Sequence, residues 1–149
     1  MRVRGWVIRI AIIAVIVIGG LIFRDRLSGN AGDLKVGDCF DDPGLGGSVS
    51  AVKHHPCTEP HTAEVFFVGL MPGASDTVPT DAAIGDYVFS QCDPAFTTWV
   101  GANVLLTPEL DWHYLSPDAD GWRNGDHAVT CYLIPTNGKP VSTSARGSH

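Results

Sequence analysis

An apolar run near the N-terminus, from Trp6 to Phe23, constrains this chain more than any other feature, because it decides where everything after it resides. From Ile10 to Phe23 there is no charge, and with Trp6, Val7 and Ile8 the run is long enough to cross a hydrocarbon core of about 30 Å as a helix. Arg9 lies close enough to its start for the side chain to reach back to the interface. Arg2, Arg4 and Arg9 precede the charge-free stretch, and Arg24 and Arg26 follow it with Asp25 between them, which favours a cytoplasmic N-terminus and an exported remainder. A cleaved signal peptide is the competing reading. Its best small-residue pair, Gly29 and Ala31, sits behind a charged stretch far from the run, so an uncleaved single-pass anchor is expected over residues 6–23.

Beyond a short Gly- and Ser-containing linker, expected at 24–33, the chain has room for one domain of about a hundred residues, expected at 34–135. From Leu27 onward five basic residues face fifteen acidic ones. That balance repels nucleic acid and anionic head groups, so neither is expected as a partner. All four cysteines, Cys39, Cys57, Cys92 and Cys131, follow the apolar run, in a compartment where disulfides persist. Three pairings are open to four cysteines; Cys39 with Cys57 and Cys92 with Cys131 is the expected one, joining two N-terminal strands and pinning a helix to the last strand.

Thr62 to Leu70 is the clearest strand, and strict alternation puts His61, Ala63, Val65 and Phe67 on one face and Thr62, Glu64, Phe66 and Val68 on the other. On such a strand His61 and Glu64 point apart, which disfavours an acid-base dyad made of the two. From Thr80, a plausible N-cap, Ile84, Val88 and Cys92 recur at helical spacing. Asp93-Pro94 reads as a second cap and Gly101 as the end, giving two successive helices or one kinked helix. Trp112, Tyr114 and Leu115 belong to a strand, Ser116 to Gly125 is turn-rich, and Asp126 to Ile134 is the final strand, followed by a polar tail, 136–149, expected to be disordered. The expected class is α+β: a transmembrane helix, then a small disulfide-stapled domain with a mainly antiparallel sheet and one or two helices on one face.

His54, His55, Cys57 and His61 have metal-ligand character, but an oxidised Cys57 is no ligand and no Cys-x-x-Cys pair accompanies them. No metal or other cofactor is expected. Asp118, Asp120 and Asp126 resemble a calcium loop only loosely and are better explained by turn chemistry. The Gly-x-Ser-x-Gly, His-Glu-x-x-His and phosphate-loop signatures do not occur, so the chain is not expected to be an enzyme. Trp99, Trp112 and Trp122 read as core or rim aromatics.

Leu34-x-Val36-Gly37-Asp38-Cys39-Phe40, Glu59-Pro60-His61-x-x-Glu64-Val65, Cys92 with Phe96 and Gly101, and Pro117 to Trp122 followed by Gly125-Asp126 and Cys131 together resemble the septum formation domain family, over about Leu34 to Leu133. His127 departs from its pattern, which often carries Arg after Gly-Asp. The resemblance implies an actinobacterial, membrane-anchored protein with an exported domain, acting in cell division or the cell envelope and partnered by proteins of that machinery. It brings no catalytic residues, but it marks Pro60, His61, Glu64, Trp122, Gly125 and Asp126 for a structural or binding role. An exported metal-dependent module or enzyme using His61, Glu64 and His54 is the alternative.

Overall fold

A computed structural model describes residues 29–44 and 49–149. The Trp6 to Phe23 run lies outside the described residues, and among those described no helix is long and apolar enough to cross a membrane.

Two long strands form the centre of the sheet. β5 (Ala63–Leu70) and β7 (Ala128–Pro135) pair antiparallel, and both are rich in the β-branched and aromatic residues that suit a pleated, covered surface. Around them the order is β4 (His54–His55), β2 (Cys39–Phe40), β5, β7 and β6 (Leu110–Leu115), every pair antiparallel. A second ladder joins β1 (Gly29–Asn30) to β3 (Ala51–Val52). Among the described residues one long helix, α1 (Asp81–Val100), packs on the sheet; α2 (Ala119–Arg123) is a short turn of helix before β7.

Helix α1 begins where Thr80 Oγ1 accepts the Ala83 N–H at 3.2 Å and ends at Gly101, whose φ of 96° is readily adopted only by a residue without a Cβ. Of the two readings of Asp93-Pro94, the structure shows the single helix, without a second N-terminus there. Pro94 withholds one main-chain donor, yet the helix continues, and the Thr97 and Thr98 hydroxyls donate to the carbonyls of Asp93 and Pro94. Val88, Cys92, Phe96 and Val100 recur every fourth residue as its buried stripe, against Phe66, Val129, Cys131 and Leu133 of the sheet. The other sheet face is covered by Ala31, Leu34 and Val52, which pack with Phe40, Ala63, Val65 and Tyr132. Because both faces are covered, β7 is apolar almost throughout instead of alternating.

Two expected boundaries move. Folded structure begins by Gly29, inside the expected linker: Ala31 is buried and its N–H donates to the Ser50 carbonyl. The expected disordered tail is instead laid against the domain. Val141 exchanges main-chain hydrogen bonds with His61, Gly147 N–H reaches the Trp99 carbonyl, and His149 N–H reaches the Val100 carbonyl. These residues bury little apolar surface and are held by polar contacts, a kind of order that hydropathy does not register.

The strict alternation of β5 also fails. A register shift between Val65 and Phe67 places an irregularity at Phe66. Val65 faces the N-terminal cluster, both Phe66 and Phe67 face the α1 side, and Val68 returns to the N-terminal side.

Candidate functional site

The expected disulfides are both formed. Cys39 of β2 is joined to Cys57, just beyond β4, and Cys92 of α1 to Cys131 of β7. The first closes the edge of the sheet that carries β2 and β4; the second ties helix to sheet. With both formed, no described cysteine is free.

His61 and Glu64 come together, contrary to the expectation from a regular strand. His61 precedes β5, joined only by its bridge to Val141, and the chain bends at Thr62 before the strand begins. In consequence one ligand-type atom from each of Cys39, His61 and Glu64 lies within 4.8 Å of the others, and all three residues are buried. His54 and His55, on β4 opposite Phe40 and Cys39 respectively, are not members of this group.

The bonding of the cluster is that of a clasp. His61 N–H donates to the Val141 carbonyl, and Val141 N–H donates to the His61 carbonyl, both at 2.9 Å. His61 Nδ1 lies 2.8 Å from the Glu59 carbonyl, which can only accept, so the ring hydrogen is on that nitrogen. Glu64 Oε1 accepts from the Ser144 hydroxyl and, at 3.2 Å, from Trp99 Nε1, while Oε2 accepts the Ala145 N–H at 2.8 Å. Three donors thus converge on one buried carboxylate, as its burial requires. Arg146 completes the closure, its guanidinium lying 5.0 Å from the centre of the Trp99 ring. Pro60 is exposed at the turn that leads in. Cys39 is committed to Cys57 and both Glu64 oxygens to hydrogen bonds, so His61 Nε2, buried and without a hydrogen-bond partner, is the one atom of the group left for a ligand.

The second motif is likewise held by internal contacts. Trp122 is buried, donates Nε1–H to the Ala74 carbonyl at 2.9 Å and stacks on His127 with ring centres 3.8 Å apart. His127 faces Trp122 on one side and meets Ser75 Oγ through Nε2 at 3.2 Å. Asp118 Oδ1 caps α2 by accepting from Asp120 and Gly121, Asp120 pairs with Arg123, and Asp126 Oδ1 accepts the Ala128 N–H. Gly125, at φ 91°, makes the turn between α2 and β7. These are the tasks of turn residues, as expected.

A groove that no sequence motif announces runs along β6. It has a volume of about 1260 Å³ and takes its lining from both sides of the sheet: Asp81, Phe89 and Asp93 of α1 on one, Ala31 and Val49 on the other, with Asp111, Trp112 and Tyr114 of β6 between. Asp118 and Asp126 line it too, and among the described residues no Lys or Arg does. Phe89 is 68% exposed and meets Trp112 edge to face at 5.7 Å. Beside Val104, another lining residue, Leu105 and Leu106 project at 87% and 74% exposure. Aromatic residues and an acidic surplus are visible in the sequence, but the carboxylates come from positions 81 to 126 and converge only in the fold.

Taken together, these features define a small, disulfide-braced α+β domain with a polar C-terminal clasp and an acidic, aromatic groove. Residues 35–148 match the family model described as Septum formation, and the chain belongs to that family. The match extends past Leu133 through the clasped segment. No curated protein and no solved structure matches the chain.

Proposed function

We propose that this chain is a single-pass membrane protein whose C-terminal domain is exported and acts by binding partners in the division or cell-envelope machinery, without catalysis. The observation that carries this reading is the β6 groove: a wide concavity lined by exposed aromatic and acidic side chains on a domain whose family is named for septum formation. The acidic balance of the sequence argues against nucleic acid as the partner. Two measurements test it. Protease added to intact cells should digest the domain, and full protection would overturn the topology. Depletion should disturb septa or envelope composition; cells normal in both would overturn the role.

One observation favours a second reading, an exported metal-dependent module: the buried, unpartnered His61 Nε2 beside Glu64. Elemental analysis of natively purified protein, wild type and His61→Ala, decides between them. Stoichiometric zinc lost in the variant supports the metal; absence of metal from the wild type, with a less stable variant that keeps its partners, supports the clasp.

A further inference from the structure

β6 is the outermost strand of the five-stranded sheet, with β7 on its inner side and, among the described residues, no strand on its outer one. An edge of this kind offers main-chain donors and acceptors to an incoming strand. In an antiparallel ladder alternate residues direct these groups away from the partner. The Trp112 N–H is one of them, since it donates to the neighbouring Asp111 carboxylate at 2.8 Å. An incoming carbonyl can replace that contact, and the displaced carboxylate is then available to a cation. On the α1 side of the edge stand Asp81 and Asp93 with Phe89 above Trp112, so a strand laid there meets carboxylates and aromatic faces together.

Resting on the binding role proposed above, we infer that β6 is a strand-addition site for an extended segment of a partner polypeptide with Lys or Arg at alternate positions and apolar residues between them. Charge selects this occupant. A second copy of the same edge would bring a second set of groove carboxylates against the first, and like charges brought together across an interface are destabilising. The same carboxylates disfavour acidic segments.

The test uses the full-length chain in detergent micelles and three synthetic peptides of about eight residues, the span of one strand. One alternates Lys with Val, one alternates Glu with Val, and the third is the Lys peptide with alternate amides N-methylated so that it cannot pair along an edge. The Lys peptide should bind at least about tenfold more tightly than either control, and raising salt from about 0.05 to 0.5 M should weaken it several-fold. Asp81→Asn with Asp93→Asn, both on the α1 side of the edge, should weaken it similarly without altering the unfolding midpoint. Equal binding by the N-methylated peptide overturns strand addition, and equal binding by the Glu peptide overturns the charge selection. In cells, a photocrosslinker at Phe89 should capture a polypeptide through such a basic segment. Capture only from exposed Leu70 would leave the binding role standing and overturn the groove; capture from neither, together with normal septa on depletion, would remove the binding role itself.

Discussion

Glu64 Oε2 accepts the main-chain N–H of Ala145 at 2.8 Å across 81 residues of sequence. With Trp99 and Ser144 on the other oxygen, this one side chain joins β5, the end of α1 and the C-terminal segment. Glu64→Ala leaves three donors facing a void and should cost about 3 kcal/mol in chemical denaturation. Glu64→Gln, which keeps the shape but turns one acceptor into a donor, should cost about half as much. Truncation after Pro140 should destabilise as Glu64→Ala does, and combining the two should add little, because both remove the same contacts. Strict additivity would show that the clasp is not a unit.

The Tyr132 hydroxyl donates to Asp42 Oδ1 at 3.1 Å from a buried ring, and burial first, then the charge and hydrogen bond of Asp42, pushes its ionisation well above the usual tyrosine range. The folded state therefore holds a proton that the unfolded chain releases near pH 10. Stability from this group is complete below that pH and falls as pH rises above it towards the folded-state value. Tyr132→Phe should lose about 1 kcal/mol at neutral pH and show a flatter alkaline limb in stability against pH. An unchanged alkaline limb would contradict the assignment.

How legible all this was depends on the kind of force at each place. Helix α1 was readable because Val88, Cys92, Phe96 and Val100 carry an apolar stripe, with Thr80 and Gly101 at its ends. The disulfides were only half legible: four cysteines leave three pairings open, and the sequence favours the observed one without excluding the other two. The irregularity at Phe66 was not readable, because Val65-Phe66-Phe67-Val68 is apolar at every position and a continuous run carries no period to break. Nor was the approach of His61 to Glu64, which depends on a bend at Thr62 outside the strand. The docking of 141–149 was hidden for the opposite reason: its residues are polar, and what holds them is a carboxylate far earlier in the chain. The β6 groove needed the fold to gather its charges.

Each disulfide closes a different loop, 18 residues for Cys39 with Cys57 and 39 for Cys92 with Cys131. On chain entropy alone they are worth about 3 and about 4 kcal/mol respectively. Digestion without reductant should release two cross-linked peptide pairs with these connectivities, and Cys92→Ala with Cys131→Ala should lower stability more than the equivalent change in the other pair. Any other connectivity, or four free thiols in natively purified protein, would contradict the fold at its core.

Gly73 lies against the indole of Trp122: a Cβ built there would stand 2.7 Å from one ring carbon. Trp122 has little freedom to yield, being buried, bonded to the Ala74 carbonyl and stacked on His127. Gly73→Ala should therefore cost about 2 kcal/mol and alter the tryptophan fluorescence. Gly85→Ala, where a Cβ meets nothing within 4 Å inside α1, should be neutral or stabilising and serves as the control.

The clasp imposes a timetable. Synthesis delivers residue 64 long before residues 141–149, so for most of its production the chain carries a buried-to-be carboxylate whose Ser144 and Ala145 donors do not yet exist. The sheet also stays incomplete until β7 arrives between β5 and β6. Completion falls to residues 141–149, which act as a latch over His61 and Glu64 after the strands they cover have been made. A chain clipped short of Ser144 keeps its β5–β7 pairing but leaves Glu64 without two of its three donors, and that unlatched form is the one quality-control proteases would meet.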